Sequence, residues 1–453
     1  MHMNRTSQKR SHAALPPLRW PWLAAAPLAV CLTAACTSAT TPNATPHIVG
    51  GATKSAGAAT ALAATGAGVS GPVSCTPPGV KGPSCYTPQA YQVAYGVAPL
   101  LSLGINGAGE TVVIPDPVGT TSGTDIRKDL AAFDSKFGLS AARLNVVNTL
   151  AKSATPYLDS DEEVTDTEMV HAIAPGATID VVLIPQSALS SRVAVATALT
   201  EVIREGVTLH ASVVSVSASG GERILTSAEV AEMNAALEQA REQHVTVVAS
   251  SGDTGAISDD GPPRQVSMPA SDPLVLAVGG TALDAASPAG TYQGEMAWNA
   301  TTDASGGGYS GLFARPSYQD GLARAGTTRG VPDVAANADS GTAMALAYGD
   351  SESRPASGTS AATPLWAGVI ALADQEAGKH LGFVNPAIYQ IARSPAYHQA
   401  FHDVVTGDNS VLWPTGLFVG YNAGPGWDPV TGWGSPDAQY LVPLLAHIAK
   451  SAA

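Results

Sequence analysis

The run Ser357-Gly358-Thr359-Ser360-Ala361-Ala362-Thr363-Pro364 leads directly into an apolar stretch, residues 365–372. Small residues around Ser360 let another backbone approach closely. A helix starting there offers free N–H groups and the positive end of its dipole. Such a setting suits a nucleophilic serine whose oxyanion needs donors, although a plain N-cap serine would account for the same residues. A nucleophilic serine also needs a base. His171 is the nearest histidine candidate, but within Met169-Val170-His171-Ala172-Ile173 it reads as a packed or helix-surface residue. The acidic segment 159–168 offers a different base. Glu162 and Asp166, four residues apart, share a helix face and can share a proton. Like charges held together raise one pKa, so the pair titrates as a unit in the acid range. It can then take a serine proton at a pH where a histidine is already charged. A solvated acidic helix start, favoured by the dipole, is the alternative for this segment.

Elements must position these groups. Short β-branched runs at 111–115, 179–185, 212–218, 245–250 and 274–278 alternate with helical patterns at 124–137, 189–205 and 227–243. Strands without polar alternation are buried on both faces. The pattern therefore predicts an α/β fold, a doubly wound, mainly parallel sheet with helices on both faces. One domain over residues 82–450 is the simplest partition. The net charge of −14 argues against a nucleic-acid partner, which needs a basic patch. Past the amino terminus no stretch runs far enough without charge or turn formers to suggest a polytopic membrane protein.

Arg5, Lys9, Arg10 and Arg19, with no acidic residue among them, accompany the apolar run 20–35. That is the layout of an export signal over residues 1–36. Leu32-Thr33-Ala34-Ala35-Cys36 resembles a bacterial lipoprotein signal, so the exported protein is expected either free or lipid-anchored at Cys36. Residues 37–81, rich in Ala, Thr, Ser, Gly and Pro, read as a flexible tether or short pro-segment. Cys75 and Cys85 flank a turn-rich loop, and in an oxidising compartment a disulfide is the natural reading. No nearby histidine or further cysteine completes a zinc set.

Glu162, Asp166 and Glu168, followed by an apolar helix and Ala174-Pro175-Gly176-Ala177, resemble in order and spacing the sedolisins, the serine-carboxyl peptidases of subtilisin-like fold. Further blocks match in order: Cys85-Tyr86-Thr87-Pro88, the Ser251-Gly252-Asp253 turn, Met268-Pro269-Ala270-Ser271-Asp272-Pro273, and the Gly-Thr-Ser-x-Ala-x-Pro signature at Ser360. The last is Phe401-His402-Asp403-Val404 with Ala423-Gly424-Pro425-Gly426-Trp427-Asp428-Pro429. The resemblance implies a monomeric peptidase acting on proteins or peptides at acid pH. Ser360 would be the nucleophile, Glu162 the general base and then acid, and Asp166 the carboxyl that orients Glu162. Asp253, protonated, and the Ser360 N–H would donate to the oxyanion. Taken alone, Asp253 reads as a turn aspartate. One structural Ca²⁺ is also implied, held by the Asp403 and Asp428 carboxylates and the Val404, Gly424 and Gly426 carbonyls. These are hard oxygen ligands around a glycine-rich loop.

Three departures from the family pattern stand out. Residues 37–81 are too few for the large folded prodomain with which sedolisins are commonly made. The cleft segment Ser-x-Ser-Trp/Tyr-Gly here reads Ser215-Val216-Ser217-Ala218-Ser219-Gly220-Gly221, without the aromatic residue. Thr165 and Val430 replace residues usual in the family, and neither touches the implied chemistry. A neutral subtilisin-type peptidase is disfavoured by the lack of any His-Gly-Thr tripeptide. A non-catalytic binding protein is disfavoured by competent side chains at all the implied catalytic positions.

Overall fold

Successive strand residues point to opposite faces, so an all-apolar strand needs helices on both sides. The computed structural model describes residues 73–75, 84–117, 125–152, 161–285, 289–348 and 352–451, and among them eight strands form one such sheet. In chain order they are β1 (Thr111–Pro117), β2 (Arg143–Val147), β3 (Thr178–Ile184), β4 (Val213–Val216), β5 (Thr246–Ser250), β6 (Leu276–Asp284), β7 (Gly294–Ala297) and β8 (Val334–Asn337). Their order across the sheet is β7-β6-β5-β4-β1-β3-β2, with β8 also paired to β6. All neighbours are parallel except β6 and β7.

Five helices cover the sheet: α1 (Ile126–Phe137), α2 (Asp161–Ile173), α3 (Arg192–Thr208), α4 (Ser227–Glu242) and α5 (Thr359–Ala377). Val112 and Ile114 of β1 join the core shared with α1, α2 and α5, while Val113 between them joins that of α3 and α4. Each buried aliphatic side chain contributes about 1.5–3 kcal/mol, so strand alternation alone ties both helix layers to one sheet. Local signals set the helix ends. The Asp125 carboxylate accepts from the Arg127 N–H at 3.1 Å to open α1, and Gly138 closes it at φ 66°. Thr226 and Glu229 form a reciprocal capping box at the start of α4.

The doubly wound, mainly parallel architecture expected from the sequence is the one observed, with local differences. The strand expected at 212–218 ends at Val216, and Ser217 and Ala218 leave the sheet. The helix expected at 189–205 is instead α3, because the Ser191 hydroxyl caps it by accepting from the Ala194 N–H at 3.1 Å. The strand β2 was not anticipated; it alternates exposed and half-buried positions at the sheet edge and lacks an apolar signature. Cys75 and Cys85 are joined in a disulfide with their Cα atoms 5.7 Å apart, beside a short antiparallel pairing of Val73–Ser74 with Ser84–Cys85. The export segment 1–36 with Cys36, and the tether 37–81 apart from Val73 to Cys75, lie outside the described residues. Among the described residues no helix is long and apolar enough to cross a membrane.

Candidate active site

Parallel sheets place their functional groups beyond the carboxyl ends of the strands. Ser217 follows β4, the turn to Asp253 follows the adjacent β5, and the α5 amino terminus meets both. Gly358 precedes α5 at φ 80°, a left-handed conformation that favours glycine, and makes Ser360 the second helical residue. A Cβ on Gly368 would lie 2.8 Å from Ile173, so this glycine lets α5 pack tightly on α2. Those are the helices that carry Ser360 and the Glu162/Asp166 pair.

Pro364 shapes the site through what it lacks. Its missing N–H would have bonded the carbonyl four residues back, that of Ser360. The Ser217 hydroxyl approaches this carbonyl at 3.3 Å. The same hydroxyl lies 2.6 Å from Asp166 Oδ1, and the Ser360 hydroxyl donates to the Ser217 carbonyl at 3.2 Å. Ser217 therefore links the serine to the buried carboxyl. Asp166 is 1% exposed. Burial holds its pKa well above the usual carboxylate range, and the Glu162 charge one turn earlier raises it further, against a lowering by the Ser217 hydroxyl.

Asp253 is fixed by Thr359, the residue before Ser360. Its Oδ1 accepts from the Thr359 N–H at 2.8 Å and from the Thr359 hydroxyl at 2.7 Å. Burial of the carboxyl group pushes its pKa up to about 6 despite these bonds. Sequence reasoning attached no role to Ser217 or Thr359, although the residues freed by Pro364 were open to the four-residue helix rule. Glu168 stands apart: it is fully buried, and its carboxylate accepts from the Ala347 N–H at 2.8 Å.

Among the described residues no histidine is hydrogen-bonded to Ser360. His171 Nε2 is buried against Asp134 Oδ1 at 2.8 Å and the Ser140 carbonyl at 2.9 Å. A serine–histidine–carboxylate grouping does occur at Ser212, His380 and Glu110, beside the opposite, amino ends of β1 and β4. There the Ser212 hydroxyl donates to Glu110 at 2.5 Å and accepts from the Thr111 N–H at 3.1 Å, so it works as a structural pin.

The expected metal ligands gather in a separate knot. Both Asp403 oxygens accept from the Gly426 N–H, at 3.2 and 3.1 Å. Asp428 accepts from the N–H groups of Gly424, Val430 and Thr431, and the Thr431 hydroxyl also lies 3.4 Å from the Val404 carbonyl. Burial pushes Asp428 up to about 6, a carboxyl that a cation would favour in its charged form. Among the described residues no group of three His, Cys, Asp or Glu could hold a metal, so backbone carbonyls must complete any such set. Two carboxylates drawn onto one glycine-rich loop fit a hard cation.

Comparison with known proteins agrees with this geometry. The subtilase family (Peptidase S8) pattern matches residues 157–399. Kumamolisin of Bacillus sp. (strain MN-32) is 36% identical over 365 residues, 77% of this chain and 62% of its own length. Sedolisin of Pseudomonas sp. (strain 101) is 38% identical over 219 residues, 46% of this chain and 35% of its own. Human tripeptidyl-peptidase 1 is 33% identical over 260 residues, 51% of this chain and 43% of its own. This chain thus spans about three fifths or less of the length of these relatives. The solved structure of Pseudomonas sedolisin, a serine-carboxyl proteinase complexed with two molecules of pseudo-iodotyrostatin, superposes with a TM-score of 0.68. It is 29% identical and covers 80% of this chain and 98% of its own. The fold is that of the subtilases, and the chain belongs to their sedolisin branch, the serine-carboxyl peptidases.

Proposed function

We propose that this chain is an exported serine-carboxyl peptidase that hydrolyses peptide bonds of proteins or peptides at acid pH. The supporting observation is the Ser360–Ser217–Asp166 connection, which ties the serine to a buried carboxyl of raised pKa rather than to a histidine. In this reading Glu162 takes the proton as Ser360 Oγ attacks the scissile carbonyl, then delivers it to the leaving amine. The acyl-enzyme is hydrolysed by water in the reverse sense. Asp166 orients Glu162 and tunes its basicity. To engage Glu162, the Ser360 hydroxyl must leave the Ser217 carbonyl, a side-chain rotation. Asp253 Oδ1 is occupied by Thr359, so its acid proton sits on Oδ2 and, with the Ser360 N–H, meets the developing oxyanion.

A bound Ca²⁺ would supply charge compensation and cross-linking at the Asp403, Val404, Gly424, Gly426 and Asp428 knot. Export, either free or lipid-anchored at Cys36, is read from the basic-then-apolar amino terminus, and the Cys75–Cys85 disulfide suits an oxidising compartment. A pH–rate profile on denatured protein, with Ser360→Ala as blank, tests the peptidase reading. Hydrolysis peaking in the acid range and abolished in the variant, with melting nearly unchanged, is expected. An optimum at neutral or alkaline pH would defeat the carboxyl mechanism, and an active Ser360→Ala would remove the nucleophile.

A further inference from the structure

An acid that must donate a hydrogen bond works only while it keeps its proton, so whatever disfavours its ionisation extends its working range. Burial does most of this for Asp253, and the Thr359 bonds oppose it. Two further carboxylates, Asp259 and then Asp303, push the same way as burial through like-charge repulsion. Asp303 is exposed, so solvent and salt screen its charge. Asp259 is better placed: its side chain is only 21% exposed, and it lies on the same turn as Asp253.

The chain doubles back to bring Asp259 there. After Asp253 a single 3-10 turn, Gly255–Ile257, is followed by Ser258 at φ 54°, a left-handed conformation uncommon outside glycine. The Gly261 N–H donates to the Ser258 carbonyl at 3.0 Å and closes the bend. The Thr254 hydroxyl, on the residue next to Asp253, then donates to Asp259 Oδ1 at 2.9 Å. The Asp253 carbonyl accepts from the Ala304 N–H at 2.7 Å, which fixes the near end of the turn.

Arg192, the first residue of α3, holds the far end. Its guanidinium lies 3.6 Å from Asp259 and 3.4 Å from Asp260, and it donates to the Ser219 carbonyl at 3.5 Å. Asp260 also accepts from the Gly221 N–H at 2.7 Å, so the ion pair is tied to the segment that follows β4. Burial raises the Asp259 carboxyl too, and Asp260 and Asp303 repel its charge. Arg192 and then the Thr254 hydroxyl act in the opposite sense and favour its ionised form. The permanent charge of Arg192 thus draws negative charge onto Asp259, and that charge disfavours a second one on Asp253. We propose that Asp259, held by Arg192 and Thr254, is a positioning residue: it keeps the acid proton on Asp253 and so sets how far toward neutral pH this chain hydrolyses peptides. The assignment rests on the peptidase reading above.

The test reads the high-pH limb of kcat/KM. Asp259→Asn and Asp259→Gln remove the charge but keep an oxygen for the Thr254 hydroxyl. Without the repulsion Asp253 ionises more readily, so the limb should move to lower pH by at least about half a unit, the effect of losing a partly exposed like charge. Thr254→Val, which removes a bond favouring the charged Asp259, should move it the same way. Asp259→Glu keeps the charge and should leave the limb at its wild-type place. A purely structural defect would lower the rate at every pH without shifting the limb. In Asp253→Asn, whose donor cannot ionise, adding Asp259→Asn should leave the shape of the pH profile unchanged. A limb that stays in place in the neutral variants, or that moves as far in the Asp253→Asn background, overturns the role of Asp259 while the peptidase reading stands. A wild type that hydrolyses no peptide at any pH overturns both.

Discussion

The Ser217 hydroxyl stands 2.6 Å from the Asp166 carboxylate, and Ser217 also carries the carbonyl on which the Ser360 hydroxyl rests at 3.2 Å. One residue at the end of a central strand thereby reads both the protonation of a buried carboxyl and the position of the serine. The arrangement depends on Pro364, which leaves the Ser360 carbonyl without a helical donor, and on the sheet order that brings the end of β4 to α5.

Removing the Ser217 hydroxyl should shift the acid limb of catalysis. A hydrogen bond to the ionised carboxylate lowers the pKa of Asp166, so Ser217→Ala raises it further. Such a bond contributes about 1.5–3 kcal/mol, and one pKa unit corresponds to about 1.36 kcal/mol. The low-pH limb of kcat/KM is expected to move upward by about one unit, with Ser217→Thr restoring it. An unmoved limb would mean that Ser217 has no influence on the carboxyl pair.

Asp253 should govern the high-pH limb. Its carboxyl loses its proton around pH 6, and only the protonated form donates to an oxyanion. Asp253→Asn keeps a donor that cannot ionise, so its rate should be less sensitive to rising pH. Imperfect replacement of an oxyanion donor costs up to about a hundred- to a thousand-fold in kcat. Retention of the wild-type decline above pH 6 would assign that limb to another group.

Stability should fall as pH rises through the acid range. Asp253 is raised to about 6, and burial also raises Asp166, Glu168 and Glu295. The folded state therefore holds protons that the unfolded chain releases near pH 4. More protons bound in the folded state means that stability drops as pH climbs from about 4 through 6. Thermal melts of Ser360→Ala, which avoid self-digestion, should show a lower Tm at pH 7 than at pH 4. A higher Tm at pH 7 would show that paired carboxylates outweigh the buried ones.

Calcium should act on stability. A ligand at about one hundred times its Kd stabilises the folded state by about 2.7 kcal/mol. Chelation is expected to lower the Tm of wild type and to leave Asp428→Ala unaffected, since that variant loses a carboxylate of the knot. Equal responses from the two proteins would place any calcium elsewhere.

The amino-acid sequence by itself determined the layered sheet, because apolar strands such as β1 and β3 bury both faces whatever their neighbours are. It also determined where α5 begins and that Pro364 must vacate one carbonyl, since caps and the four-residue helix bond are local rules. The edge strand β2 was not legible, because a half-exposed strand has no apolar period to detect. Only the tertiary structure decided which donor approaches the vacated carbonyl, and that the same hydroxyl meets Asp166, 51 positions away in sequence. Local spacing cannot encode that meeting, because it arises where the end of β4, the helix α2 and the start of α5 converge. The raised pKa of Asp253 has the same origin: an aspartate in a Ser-Gly-Asp turn is ordinary until tertiary burial raises its pKa, against the lowering by its Thr359 hydrogen bonds.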